Sequence, residues 1–126
     1  MYKVINFPKI KDPRGNLTFL QFPNQIPFII ERVFWTYDVS SGEKRGGHAY
    51  KTQQEVIIAL SGSFDIFITE KNGFVKKINL NNPYTGLFLP SNTWRHIENY
   101  STNALSLHLS SMKYDELDYI RNFNFL

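Results

Sequence analysis

The sequence has no cysteine and no long apolar run. Without cysteine the chain can form neither a disulfide nor a thiolate metal site. No stretch approaches the roughly 20 apolar residues of a membrane-spanning helix, and the first residues lack the apolar core of a signal peptide. We therefore expect one domain over residues 1–126, a cytoplasmic location and no contact with a membrane.

Basic residues are not concentrated in any part of the chain. The net charge is +3, but acids alternate with bases, as in residues 9–14 and 43–45. A nucleic-acid-binding protein gathers its basic residues on one face, so we expect no nucleic-acid partner. A modest positive excess suits an anionic small molecule instead. Walker-type phosphate loops, Gly-x-Ser-x-Gly elbows and Cys/His zinc patterns are also missing.

Short apolar and alternating segments recur between turn residues, which is typical of an all-β sandwich or barrel. Asn72-Gly73 favours a tight turn, and a barrel with a wide mouth would hold a small-molecule site. We predict a C-terminal helix at residues 115–121, a hairpin of residues 55–60 and 64–69, and strands at residues 17–22, 29–37, 74–80, 84–89 and 104–110.

One segment has a distinctive spacing: Gly42 is followed by five residues, His48-Ala-Tyr50, four residues, Glu55, six residues and Gly62. This spacing resembles the first metal-binding motif of the cupin superfamily. Tyr50 occupies the position of the motif's second histidine. The resemblance implies a jelly-roll antiparallel barrel.

A later segment, Pro90–Asn99, has the spacing of the second cupin motif, with Arg95 in the position of its histidine. Arginine keeps its proton near neutral pH and cannot ligate a metal. Only His48 and Glu55 remain of the four ligand positions, so we expect no metal, and a metal-dependent cupin dioxygenase ranks last among the possible functions.

His48 and Tyr50 are the candidate catalytic residues. They lie two positions apart, so in an extended strand both side chains point to one face. Histidine is the usual group for proton transfer near neutral pH, and a phenol that titrates near about pH 10 is a better proton donor than a base. An ordinary cavity-lining role for Tyr50 remains the alternative.

Several further residues could bind a substrate. Without a metal, Glu55 would orient a neighbour or pair with an arginine. Arginine binds phosphate through two hydrogen bonds, and converging arginines could hold a diphosphate. An isolated surface arginine would instead form a salt bridge of little energetic value. The candidates for binding are Arg14, Tyr37, Arg45, Glu55, Trp94 and Arg95, whereas His96 and His108 are interpreted as structural.

Six segments spread over nearly the whole chain match the pattern of one family: Asp12–Leu17, Pro27–Val33, Arg45–Lys51, Leu60–Ser63, Leu89-Pro90 with Trp94-Arg95, and Tyr114–Arg121. Through these segments the chain resembles the dTDP-4-keto-6-deoxyglucose 3,4-ketoisomerases, also called WxcM-like sugar isomerases. The resemblance implies a metal-free, cofactor-free isomerase that moves the keto group of a dTDP-linked 4-keto-6-deoxyhexose from C4 to C3 in deoxyamino-sugar and surface-polysaccharide biosynthesis. It also implies a homodimer with exchanged N-terminal strands.

The resemblance is incomplete at one position, because members of this family typically carry His-Ala-His where this chain has His48-Ala-Tyr50. A related group, the dTDP-sugar 3,5-epimerases, uses a histidine and a tyrosine for proton transfer. Two alternatives to a ketoisomerase therefore stay open: a non-catalytic cupin that binds a dTDP-sugar, and a dTDP-sugar epimerase.

Overall fold

The computed structural model describes residues 1–126 and is built almost entirely of β-strands. Two short 3₁₀ helices flank the last strand: Glu116–Asp118 precedes it and Phe123–Phe125 follows it. No helix in the chain is long and apolar enough to cross a membrane. The strands are β1 (Lys3–Asn6), β2 (Arg32–Thr36), β3 (Arg45–Tyr50), β4 (Glu55–Ser61), β5 (Phe64–Thr69), β6 (Val75–Leu80), β7 (Thr85–Leu89), β8 (Trp94–Glu98), β9 (Leu105–Ser110) and β10 (Tyr119–Ile120).

The strands form two five-stranded antiparallel sheets. The first sheet has the order β1-β7-β4-β9-β2, and the second has the order β10-β3-β8-β5-β6. The all-β, cupin jelly-roll prediction is confirmed. The sheets face each other as an open sandwich and do not close into the barrel that we expected.

The main apolar core fills one end of the space between the sheets. Ile57 and Leu87 from the first sheet meet Ile66 and Ile97 from the second, and all four are buried. At the other end the inward positions are polar: Glu55, Arg95, Ser106 and His108 are also buried. Burying charged groups is costly unless they pair, so this polar end is where a functional site is expected.

The segment between β1 and β2 covers the outer face of the first sheet over β4 and β9 and leaves that of β2 exposed. Phe7, Ile26 and Phe28 from this segment pack on Val56 and Ile58 of β4. Both faces of β4 are therefore buried. The strand predicted at residues 17–22 is not present, because this stretch covers the sheet as a loop and forms only an isolated bridge between Ile10 and Leu17.

Two further local predictions were wrong. The strands β4 and β5 do not form a hairpin, since the turn at Gly62 carries the chain from the first sheet to the second. Residues 115–121 do not form a helix. The Asp118 carboxylate accepts hydrogen bonds from the backbone N–H groups of Thr52 and Gln53, at 2.9 and 3.0 Å, and β10 then pairs with β3. These long-range hydrogen bonds override the local helical preference.

Candidate active site

The polar end of the sandwich encloses a cavity of about 290 Å³. Its walls come from both sheets: β3, β8 and β10 on one side, and β2, β4 and β9 on the other. Of the residues proposed from the sequence, His48, Tyr50, Glu55, Arg45 and Arg95 line this cavity.

A β-bulge in β3 brings Arg45 and His48 to the same cavity. Arg45 pairs with Ile97 and His48 pairs with Arg95, so β3 has one residue more than β8 between these two pairs. Gly46 absorbs the extra residue at φ +75°, a conformation that favours glycine. Without the bulge, residues three apart in a strand would point to opposite faces.

His48, Tyr50 and Tyr119 form an aromatic cluster on the second sheet. Their ring centroids are 4.7 Å apart for His48 and Tyr50, 5.0 Å for His48 and Tyr119, and 4.8 Å for the two tyrosines. The Tyr50 hydroxyl donates to the Tyr119 hydroxyl at 3.4 Å. Tyr119 reaches this position because β10 places it directly opposite Tyr50.

The environment sets the protonation state of this cluster. Burial, assisted by the positive charge of Arg95, lowers the pKa of His48 to about 4. Burial, followed by the negative charge of Glu55, raises the pKa of Tyr50 well above its usual value. The buried His48 Nε2 has no hydrogen-bond partner in the protein. Near neutral pH the cluster therefore offers a neutral imidazole as a proton acceptor and a phenol as a donor.

Glu55 lies on the floor of the cavity between two basic side chains. One carboxylate oxygen pairs with Arg95 Nη1, and the other lies 3.2 Å from His108 Nδ1. Burial by itself raises the pKa of Glu55, but Arg95 and then His108 outweigh it and hold that pKa at about 2. Glu55 is thus a carboxylate that pairs with an arginine, as its position without a metal suggested.

The ion pair also fixes Arg95. Its Nε donates to the Thr93 carbonyl at 3.0 Å, and its guanidinium lies 5.0 Å from the centre of the Tyr50 ring. The Nη2 atom is buried and has no partner in the protein. One guanidinium nitrogen therefore remains for a ligand.

The structure contains no group of three or more His, Cys, Asp or Glu side chains arranged to hold a metal ion. The cavity instead has exposed arginines at its opening, Arg45 and Arg121. Arg121 is held by Glu116 through hydrogen bonds of 2.7 and 2.9 Å and lies 4.3 Å from the centre of the Tyr119 ring. The opening therefore favours an anionic group.

The chain matches a known protein family over its whole length. The family model described as FdtA, WxcM-like, C-terminal, matches residues 1–126. The chain belongs to the FdtA family. It is 37% identical over 122 residues to a TDP-4-oxo-6-deoxy-alpha-D-glucose-3,4-oxoisomerase from Aneurinibacillus thermoaerophilus, and the match covers 97% of this chain and 87% of that one.

Solved structures of ketoisomerases resemble this FdtA-family chain closely. A 3,4-ketoisomerase from Helicobacter canadensis is 39% identical, with a TM-score of 0.94 and coverage of 98% of this chain and 92% of that one. A histidine-to-asparagine mutant of the 3,4-ketoisomerase QdtA from Thermoanaerobacterium thermosaccharolyticum, in complex with TDP-4-keto-6-deoxyglucose, is 35% identical, with a TM-score of 0.94 and coverage of 98% and 89%.

Three of the proposed binding residues lie outside the cavity of this FdtA-family chain. The Arg14 side chain is 90% exposed and pairs with Asp12 at 2.8 Å. Tyr37 is 62% exposed, because the alternation of β2 directs it to the outer face. Trp94 packs edge-on against Phe123, with a centroid distance of 5.6 Å, in a shallow depression next to Arg45.

The cavity residues that were not identified from the sequence include the polar side chains of Thr36, His108, Tyr119 and Arg121. His108 was interpreted as structural, yet it alternates with the apolar residues that face the N-terminal segment and so points inward. Tyr119 and Arg121 stand in a segment that carries the family resemblance, and that was the one available signal for them. His96 lies outside the cavity lining, stacked on Phe67 with its Nε2 2.8 Å from Glu98.

Proposed function

We propose that this protein is a nucleotide-sugar 3,4-ketoisomerase that acts on dTDP-4-keto-6-deoxyglucose by acid/base proton transfer, in the biosynthesis of deoxyamino sugars for surface polysaccharides. The observation that carries the proposal is the neutral, unpartnered His48 imidazole beside the Tyr50 phenol in a cavity whose opening is basic. The relatives named as 3,4-ketoisomerases support the same reaction.

In this reaction His48 Nε2 removes the proton from C3 of the sugar, which is acidic because C3 lies next to the carbonyl. The C3–H electron pair becomes the C3–C4 double bond of an enediol, and a proton is then delivered to C4. Tyr50, which stays protonated near neutral pH, donates this proton or a hydrogen bond to the developing charge. The chemistry described needs no oxidant or reductant, because the hydrogens only change position within the sugar.

The diphosphate is assigned to the basic opening. Arg45 is the residue among the earlier candidates that lies there, and Arg95 contributes its unpartnered Nη2 further inside. Trp94 is proposed to contact the nucleoside, because it lines a depression next to Arg45. Arg14 and Tyr37 remain proposed binding residues, although both are exposed outside the cavity of the single chain.

The proposal is tested by an NMR time course with dTDP-4-keto-6-deoxyglucose in deuterated water. Migration of the keto group to C3, with deuterium at C4, is the expected result for the wild-type protein. The Tyr50→Phe variant, which keeps the ring but loses the hydroxyl, is expected to turn over more slowly with little change in KM. Measurable dTDP binding without deuterium incorporation would instead favour the non-catalytic alternative, which the tyrosine at position 50 motivates. Inversion at a carbon beside an unmoved carbonyl would identify an epimerase.

The protein is also proposed to act as a homodimer with exchanged N-terminal strands, in the cytoplasm. In the single chain β1 pairs with β7 in the register Lys3 with Phe88 to Asn6 with Thr85. An exchanged dimer would form this same pairing between subunits. The exposed side chains of Val33, Trp35 and Tyr37 on the outer face of β2 support an apolar contact between copies.

A further inference from the structure

The proposed isomerisation requires the movement of two hydrogens, and the aromatic cluster accounts for only one of them. The first moves from C3 to C4. The second must leave the C3 hydroxyl, which becomes the carbonyl, and a hydrogen must arrive on the C4 oxygen, which becomes a hydroxyl. A group on the other wall of the cavity would suit this second transfer.

The first sheet carries a continuous chain of hydrogen-bonding groups at this wall. Thr36 on β2 lies opposite Ser106 on β9, and their hydroxyl oxygens are in hydrogen-bond contact. The Ser106 hydroxyl lies 3.0 Å from His108 Nε2, and His108 Nδ1 lies 3.2 Å from Glu55 Oε2. The chain therefore runs from Thr36 through Ser106 and His108 to the carboxylate.

The two ends of this chain differ in their access to a ligand. Thr36 lines the cavity, whereas Ser106 is fully buried and does not. His108 also lines the cavity, but both of its ring nitrogens have partners in the chain. A proton can therefore pass between a ligand and His108 only through the Ser106 and Thr36 hydroxyls.

The surroundings of His108 fix its orientation. Phe34 stacks on the imidazole with a centroid distance of 4.5 Å and an interplanar angle of 6°. Because Glu55 is a carboxylate, it can only accept a hydrogen bond, so His108 Nδ1 donates to it and Nε2 is the ring nitrogen that faces Ser106. Arg95 holds the other carboxylate oxygen.

We propose that Thr36, Ser106 and His108 form a proton relay that serves the two substrate oxygens, opposite the His48 cluster that serves the carbons. This proposal rests on the proposed ketoisomerase function. Thr36 is the catalytic end of the relay, whereas Ser106 and His108 act through it.

Each proton transferred in this relay has a named donor and acceptor. As His48 takes the C3 proton, the carbonyl π pair moves to O4, which receives the Thr36 hydroxyl proton. Ser106 then protonates Thr36, and His108 Nε2–H protonates Ser106. When the C3 hydroxyl becomes a carbonyl, its proton returns through Thr36 and Ser106 to His108 Nε2, and the enediol π pair takes a proton at C4 from His48, which becomes neutral again. Each hydroxyl gives one proton and receives one in each direction, so the relay ends as it began.

The relay is tested by comparing two rates in deuterated water: deuterium exchange at C3 of the recovered substrate, and migration of the keto group. Deuterium exchange at C3 needs only that His48 remove the proton while O4 takes up negative charge. Migration of the keto group also needs proton transfer to and from the two oxygens. Ser106→Ala and Thr36→Val each break the relay and are expected to slow migration about 100-fold, at the lower end of general acid–base effects, while C3 exchange continues. Thr36→Ser, which keeps the hydroxyl, is expected to retain the wild-type ratio of the two rates.

Thermal unfolding and dTDP binding of each variant separate a folding defect from a loss of proton transfer. If Ser106→Ala does not fold, the Thr36→Val and Thr36→Ser pair decides, because Thr36 is only half-buried. A parallel fall of exchange and migration, or migration at the wild-type rate in Thr36→Val, would overturn the relay alone. A wild-type protein that binds dTDP but moves no keto group would overturn the proposed function and the relay together.

Discussion

At the scale of single residues, the environment of His48 determines what it can do. A histidine in water is half-protonated near about pH 6.5, whereas burial and Arg95 lower the pKa of His48 to about 4. The imidazole is therefore almost wholly neutral at pH 7. A group that must accept a proton from carbon is available in that state without first losing one.

Replacement of His48 by Asn is expected to reduce turnover by about 100- to 10,000-fold, the usual contribution of a general base, while dTDP binding persists. Steady-state rates and calorimetric binding measure the two effects. His96→Asn is the control for the chemical step: His96 lines the depression beside Trp94 and not the cavity, so kcat is expected to stay unchanged whatever the effect on KM. A His48→Asn variant with the wild-type rate would remove His48 from the mechanism.

The low pKa of His48 also predicts the pH dependence of both activity and stability. The rate is expected to stay level as the pH falls through 6.5 and to decline only near about pH 4, where His48 gains a proton. Between these values the unfolded chain binds a proton at this position that the folded chain does not. The contribution of His48 to the unfolding free energy therefore falls as the pH is lowered through this range. A rate profile with its acid limb at pH 6.5 would contradict the assignment.

Sequence reasoning identified His48, Tyr50 and Glu55 because the cupin spacing places them on two adjacent segments. It missed His108 and Tyr119 because their positions depend on which strands pair. Tyr119 enters the cavity only through the pairing of β10 with β3, and the sequence favoured a helix there. The sequence shows that His108 and the leucines beside it point to opposite faces of β9. It does not show which face is inward, because that depends on the N-terminal segment, which packs on the leucines.

At the scale of elements, the Glu55–Arg95 pair joins the two sheets at their polar end. Glu55 begins β4 in the first sheet and Arg95 lies on β8 in the second, and both side chains are 2% exposed. Loss of one partner leaves the other as a buried charge without compensation. The pair therefore contributes to the packing of the sandwich as well as to the electrostatics of the cavity.

Arg95→Met is expected to destabilise the protein by about 3–5 kcal/mol, the usual cost of breaking a buried ion pair. The double variant with Glu55→Gln is expected to lose less than the sum of the single variants, because no uncompensated charge remains. Urea unfolding of the four proteins measures this coupling. Because the pKa of Glu55 is held at about 2, its contribution is present above about pH 4.5 and is lost as the pH falls toward 2. Additive losses would show that the two side chains do not interact.

Strands were easier to predict than their connections. The sequence located β2, β6, β7 and β9 to within a few residues. Whether two successive strands share a sheet is not encoded in alternation, and the hairpin predicted for β4 and β5 failed for that reason. The segment at residues 17–22 alternates like a strand but lies on the outer face of a sheet whose strands are already paired.

At the scale of the whole molecule, the outer face of β2 is an exposed apolar surface at the edge of a sheet. Trp35 is 55% exposed, beside Val33 and Tyr37. An exposed apolar patch on a sheet edge is a common site of association. If the protein is the proposed homodimer, this surface is where association is expected to be sensitive to charge.

Trp35→Glu is therefore expected to shift the protein from dimer to monomer, which light scattering coupled to size-exclusion chromatography would measure. Phe74→Glu is the control, because Phe74 is exposed to nearly the same degree, 54%, but lies beside β6 at the far side of the other sheet. A wild-type protein that elutes as a monomer at all concentrations would contradict the proposed dimer. A Trp35→Glu protein that remains a dimer would exclude this face from the interface.

The bulge in β3 has a consequence for how the gene can change. The strand pairs on either side of Gly46 and Gly47 are already in register with β8, so one glycine codon can be deleted and the ladder becomes regular. In the shortened protein Arg45 would stand two residues from His48, so both side chains would still point into the cavity, and no residue would need the positive φ of Gly46. The two cavity-facing side chains therefore tolerate a chain one residue shorter at this point, and the bulge marks a place where the length of related genes can vary without displacing either of them.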